Sequence, residues 1–151
     1  MNILIIYDST FGNTEKIARA IGEGAGVEVV SAKDAGNTDL SPVDLLIVGS
    51  PTLGGRPTKA IQDFLNAIPA DGLRDKKVAT FDTRLEEAVQ GFGLKLVLKT
   101  FKYAAEKMGK TLSGKGGNLK GTMGFFVVGK EGPLKEGEIE RAKEWGRKLI
   151  R

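Results

Sequence analysis

The chain contains no cysteine and no histidine. Without cysteine there can be no disulfide, no thiolate nucleophile, no iron–sulfur ligation and no cysteine zinc site. Without histidine, the commonest metal ligand and the usual general base near neutral pH are also gone. Chemistry must come from carboxylates, hydroxyls, backbone groups or a bound cofactor. Long apolar runs are missing too. The opening stretch Met1–Tyr7 is apolar but too short to span a membrane. It has neither a basic leader nor a cleavage site, so no signal peptide is expected and a cytoplasmic location is.

What remains is ordinary globular material. At 151 residues the chain is expected to form one domain over 1–151. A domain of that size buries roughly 70% of the surface its unfolded chain exposes, and so needs no covalent staple. The net charge is +4, unevenly spread. Residues 1–50 carry 3 basic and 7 acidic side chains, whereas residues 101–151 carry 12 basic and 6 acidic ones. From Lys95 to Lys120 there are seven lysines and one acidic residue, Glu106. This segment reads either as a solvated helix face and loop or as a docking surface for an acidic partner. Nucleic acid is disfavoured, because no aromatic residues are interleaved as stacking platforms.

Short apolar runs alternate with longer periodic ones, the pattern of βαβ units. Strands are expected at Ile3–Tyr7, Val27–Val30 (an edge), Leu45–Val48, Val78–Phe81 and Phe125–Val128. Helical stripes follow at Thr14, Ile17, Ala18, Ile21 and Ala25, weakened and ended by Gly22, Gly24 and Gly26. Further stripes are Ala60, Ile61, Phe64, Leu65 and Ile68 behind Pro57, and Leu94, Val97, Leu98, Phe101, Ala104, Ala105 and Met108. The last is Ile139, Ala142, Trp145 and Leu149, with Glu144 and Lys148 paired at i,i+4. Residues 32–44 leave room for a short helix at most, and Asp82–Gly93 reads as mostly loop. Gly109–Thr122 breaks the pattern, with a short strand at Lys110–Leu112. The expectation is an α/β doubly wound, five-stranded parallel sheet. Its ligand site lies beyond the carboxyl ends of the strands, where strand order reverses.

Three loops fall at those ends. Asp8-Ser9-Thr10-Phe11-Gly12-Asn13-Thr14 places hydroxyls, an amide and free backbone N–H groups at a helix N-terminus, which suits an anion. It has no lysine, so it is not a nucleoside-triphosphate P-loop. Plain helix capping by Asn13 or Thr14 is the structural alternative. Gly49-Ser50-Pro51-Thr52-Leu53-Gly54-Gly55-Arg56-Pro57-Thr58 has two stiffening prolines and a Gly-Gly tip that can expose peptide groups to a flat ligand. Phe81-Asp82-Thr83-Arg84-Leu85 joins a carboxylate, a hydroxyl and a guanidinium. The alternative there is a weak surface salt bridge between Asp82 and Arg84.

Together these loops resemble those of the flavodoxin family. YDSTFGNTEKIA, Tyr7 to Ala18, resembles the phosphate-binding loop for flavin mononucleotide (FMN). GSPTLGGRP resembles the second flavin loop and FDTR the third. The tail FFVVGKEGPLKEGEIERAKEW is similar to the end of small flavodoxin-domain proteins, so the likeness covers essentially the whole chain. It implies the strand order 2-1-3-4-5, for which flavodoxin is the standard example. It further implies that Ser9, Thr10, Phe11 (by its backbone), Gly12, Asn13 and Thr14 hold the phosphate. Pro51, Thr52, Leu53, Gly54 and Gly55 would meet the ring on one side, and Asp82, Thr83 and Arg84 on the other.

Two features depart from the family pattern. Leu53 stands where a stacking aromatic is usual, and the third loop has no tyrosine or tryptophan; Phe92 is a substitute or a core residue. Aromatic stacking contributes about 0.5–1.5 kcal/mol beyond burial, so weaker FMN retention is expected. The chain is also basic, with a pI near 9.3, in a family that is typically acidic. The resemblance implies an FMN-dependent electron carrier, or a small FMN-dependent oxidoreductase, served by redox partner proteins. The alternative is a flavodoxin-like interaction module with weak or no flavin binding. A phosphoacceptor receiver domain would need an aspartate at the end of strand three, where Gly49-Ser50 stands.

Overall fold

A computed structural model describes residues 1–86 and 103–151. Its strands are β1 (Ile3–Tyr7), β2 (Val29–Ser31), β3 (Leu45–Pro51), β4 (Lys77–Leu85) and β5 (Asn118–Val127). Its described helices are α1 (Asn13–Ala25), α2 (Ala32–Ala35), α3 (Lys59–Ala67), α4 (Ala104–Gly114) and α5 (Glu138–Leu149). The five strands form one sheet, every pair parallel, in the order β2-β1-β3-β4-β5.

Alternation along the central strands divides the core in two. Ile5 and Tyr7 of β1, Leu45 and Ile47 of β3, and Ala79 and Phe81 of β4 face α1 and α5. Ile6, Leu46, Val48 and Val78 face the opposite layer, with Ile61 and Leu65 of α3 and Met108 and Leu112 of α4. Strands buried on both faces are continuous hydrophobic runs, which is why β1 and β3 were legible as such. Phe81, Phe125 and Trp145 meet edge to face with ring centroids 6.1–6.3 Å apart, anchoring β4, β5 and α5 together.

Several boundaries differ from the sequence reading. The proposed third loop is not a loop: Asp82–Leu85 continues β4, paired to β3 as far as Thr83 and to β5 as far as Leu85. The expected strand at Lys110–Leu112 is the second half of α4, and Asn118–Thr122 already belongs to β5. The glycines that disguised these elements are packing positions. A Cβ on Gly109 would stand 3.2 Å from both Leu119 and Thr122, and one on Gly117 2.8 Å from Val78. In α1 the same holds for Gly24, whose Cβ would lie 2.0 Å from the Lys143 carbonyl oxygen of α5. Glu144 pairs with Arg147 at 3.2 Å and Arg151 at 3.8 Å, not with Lys148. Phe92 and the stripe from Leu94 to Phe101 lie outside the described residues. No helix among the described residues is long and apolar enough to cross a membrane.

Candidate functional site

At the carboxyl ends of β1, β3 and β4 lies a pocket of about 320 Å³, within the usual range for small-ligand sites. It is lined by Thr10, Phe11, Asn13, Thr14, Pro51, Thr52, Leu53, Gly54, Thr83 and Arg84, all expected from the sequence. Leu85, Tyr103, Val127 and Lys130 line it as well. Ser9, Gly12, Gly55 and Asp82 do not line it; the first three lie beside lining residues in their loops, and Asp82 pairs with Arg84.

One end of the pocket is built by the loop from β1 to α1. Gly12 is the helix N-cap at φ +92°, a left-handed conformation that glycine adopts without steric cost. No side chain caps the helix from that position, so simple capping by Asn13 or Thr14 does not describe the loop. Instead the Ser9 hydroxyl oxygen accepts from the Gly12 N–H at 3.0 Å and the Glu15 N–H at 3.3 Å. Asn13 Nδ2 donates to the Glu131 carbonyl at 3.0 Å, tying the β5–α5 connection to this loop. The Thr14 and Thr83 hydroxyls lie 2.7 Å apart and join β4 to the helix start. The backbone N–H groups of Thr10, Phe11, Asn13 and Thr14 donate to no acceptor among the described residues. Thr14 is only 1% exposed, so its amide is an orphan buried donor at a helix N-terminus. Such a group costs about 1–3 kcal/mol unless a ligand or water accepts from it. An anion with several oxygens fits this donor set.

The other end is flatter and more apolar. Leu53 and Arg56 exchange backbone hydrogen bonds of 2.8 and 3.0 Å around Gly54 and Gly55, at φ +57° and +78°. Two consecutive positive φ values define a tight hairpin turn that glycine favours. The turn fixes Leu53, which is 45% exposed, against the pocket.

On the facing side the Asp82–Arg84 pair exists, but it is not a surface salt bridge. Asp82 is fully buried, and its carboxylate accepts from Arg84 Nε at 2.7 Å and Arg84 Nη2 at 2.8 Å. The Ala105 N–H adds a bond of 2.9 Å. Burial nevertheless pushes the Asp82 carboxyl above its usual value, against the opposing pull of Arg84, Ala105 and Thr52. The Arg84 guanidinium lies over the Tyr103 ring.

Tyr103 is a pocket-lining residue that the sequence reading missed. It caps the start of α4 and reaches the pocket from beyond the segment where an aromatic was sought. Its only signal was its position just before Ala104 and Ala105 at the head of a helical stripe. Lys130 was also missed, although it follows the fifth strand and so stands at the same end of the sheet as the other loops. No group of three or more metal-ligating side chains occurs among the described residues.

Comparison with known proteins agrees with this geometry. Residues 5–145 match the family model described as Flavodoxin. "Putative diflavin flavoprotein A 5" of Nostoc sp. (strain PCC 7120) is 30% identical over 124 residues, which cover 68% of this chain and 22% of that protein. A flavodoxin of Aquifex aeolicus is 36% identical over 85 residues, 51% of this chain and 46% of that one. The chain thus spans less than half the length of these curated relatives. Among solved structures, the flavodoxin of Streptococcus pneumonia TIGR4 superposes with a TM-score of 0.75 at 18% identity, covering 99% of this chain and 98% of that one. Oxidised Flavodoxin 2 from Bacillus cereus gives 0.62 at 25% identity, covering 97% and 95%. With the sheet order and the family match in agreement, this chain belongs to the flavodoxin family.

Proposed function

We propose that this chain carries electrons between proteins by means of FMN held in the pocket at the ends of β1, β3 and β4. The observation that supports the reading is the set of amides of Thr10, Phe11, Asn13 and Thr14, which have no acceptor among the described residues, at one end of a cleft whose other end is more apolar. In this reading Thr10, Phe11, Asn13 and Thr14 take the phosphate, with Ser9 and Gly12 shaping their loop. Pro51, Thr52, Leu53 and Gly54 meet one side of the flavin ring. Thr83 and Arg84 border the other side together with Tyr103, and Gly55 and Asp82 support these two walls. Bound FMN supplies the redox chemistry, and the protein contributes position, exclusion of water and electrostatics. No side chain need exchange a proton with a substrate of its own, which favours a carrier over a small FMN-dependent oxidoreductase.

The sequence carries no nicotinamide-binding signature, so the electrons are expected to come from a protein donor. The partner is expected to be acidic and to dock on the Lys95–Lys120 region, where Lys107, Lys110, Lys115 and Lys120 fall within the described residues. The same reading assigns the protein to the cytoplasm, which fractionation of cells would check. The decisive experiment is a titration of apoprotein with FMN, followed by flavin fluorescence quenching, with riboflavin in parallel. FMN should bind and riboflavin should bind much more weakly, because the Thr10–Thr14 amides act only on the phosphate. Absence of FMN binding would overturn the reading.

A further inference from the structure

Between α3 and α4 opens a second cleft of about 320 Å³. Arg56, Gln62, Asn66, Lys107 and Thr111 line it above the buried Met108. Among the described residues, no carboxylate lines this cleft. The acidic residue of α4, Glu106, is not part of its wall.

Arg56 is unusual within the molecule. The chain has seven arginines, all among the described residues. Six of them hold a carboxylate oxygen within 3.8 Å. Arg56 alone has no such partner among the described residues, and the Lys107 ammonium has none either. Lys59, at the start of α3, is by contrast tied to Asp63 at 2.8 Å. The cleft is therefore rimmed by two cations with no carboxylate partner among the described residues, and neutral hydrogen-bonding side chains stand between them.

The Arg56 backbone is also fixed in place. It closes the Leu53–Arg56 turn with reciprocal hydrogen bonds of 2.8 and 3.0 Å. The same turn delivers Leu53 and Gly54 to the first pocket. Whatever sits in the cleft therefore abuts the loop assigned to the flavin ring.

We infer that the Arg56–Lys107 cleft is the docking point for an acidic protein partner that presents exposed aspartate or glutamate side chains. The inference rests on the electron-carrier reading; it keeps Lys107 from the basic region and adds Arg56 from outside it. Complementary charge steers encounter and fixes orientation, and exposed cations act in this way only within a Debye length of about 8–10 Å. A partner seated at Arg56 is oriented beside the ring loop. Nucleic acid is the weaker occupant, because no aromatic side chain lines the cleft as a stacking surface.

The test uses FMN-loaded, isotope-labelled full-length protein titrated at low salt with a hexaglutamate peptide. Hexalysine and a short thymidine oligonucleotide are run in parallel, and amide chemical shifts are followed. Hexaglutamate should move the amides of Arg56, Gln62, Asn66, Lys107 and Thr111, and physiological salt should weaken the effect. The double reversal Arg56→Glu/Lys107→Glu should lower affinity by at least about tenfold. If that variant does not fold, Arg56→Gln/Lys107→Gln should still weaken binding severalfold. Shifts centred on other lysines, shifts that survive both variants, or tighter binding of the oligonucleotide at the same amides would each overturn the assignment. FMN titration of the unsubstituted protein reports separately. Its failure overturns the carrier reading, whereas intact FMN binding without cleft-centred shifts overturns the docking site alone.

Discussion

The Arg84 guanidinium carbon lies 3.6 Å from the centre of the Tyr103 ring, inside the pocket wall. Three neighbours hold it there. Asp82 grips it with two hydrogen bonds, Tyr103 stacks on it, and Gly124 of β5 leaves room for it. Gly124 is the register partner of Asp82, and a Cβ there would stand 2.3 Å from Arg84 Nε. A buried carboxylate on one strand and a missing side chain on the next thus fix a cation, and the cation fixes an aromatic ring.

Tyr103→Leu tests whether that ring is part of the cofactor wall. Stacking contributes about 0.5–1.5 kcal/mol beyond burial, so FMN affinity should fall by about 2–12-fold. Flavin fluorescence quenching measures it, and Tyr103→Phe should restore most of the loss. Unchanged affinity in the leucine variant would remove Tyr103 from the site.

Gly124→Ala should be costly although alanine is small. The new methyl group crowds the guanidinium and drives it off Asp82, leaving a buried carboxylate less well paired. Full loss of a partner in a buried pair costs about 3–5 kcal/mol. Displacement alone should cost about 1–3 kcal/mol. A urea unfolding midpoint equal to that of the unsubstituted protein would show that Arg84 moves aside freely.

Gly12 allows charge to be separated from strain. No atom lies within 4 Å of a Cβ built there, so either an aspartate or an asparagine fits sterically. Both share the cost of the φ of +92°, about 1–2 kcal/mol at most for a side-chain residue. Only the aspartate repels a phosphate. Gly12→Asp should therefore lose much more FMN affinity than Gly12→Asn while unfolding at a similar midpoint. Equal affinities would disprove the phosphate assignment.

Acid and neutral stability should carry two opposite signatures. Burial raises the Asp82 carboxyl above its unfolded value. Between those two values the native state binds more protons than the unfolded chain, so stability falls as pH rises through that window. Glu138 behaves in the other sense. Burial pushes its pKa up, but the Arg141 guanidinium and the Phe126 N–H together outweigh this and lower it. Its contribution is fully present above the unfolded value and is lost as pH falls through the lowered native one. Stability measured against pH should therefore lose its decline in Asp82→Asn and its acid-side rise in Glu138→Gln. Curves parallel to the unsubstituted protein would refute the corresponding shift.

The sequence alone determined the elements whose signal is local. β1 and the Leu45–Val48 part of β3 are unbroken apolar runs because both their faces are buried. The first two loops could be read because their hydroxyls, prolines and glycines are contiguous. Elements that depend on distant packing could not be read. Gly109 and Gly117 look like breakers in sequence, yet they let α4 and the segment before β5 press against their neighbours. Asp82 and Arg84 look like loop polarity because nothing local reveals that β5 runs alongside them as far as Val127. Tyr103 and Lys130 joined the pocket only when the parallel sheet brought the segments behind β4 and β5 to the end where β1 and β3 already pointed. The sequence thus decided which groups were available to hold a flavin phosphate. Tertiary structure decided which groups form the facing wall of the pocket, because parallel strands align their carboxyl ends regardless of separation along the chain.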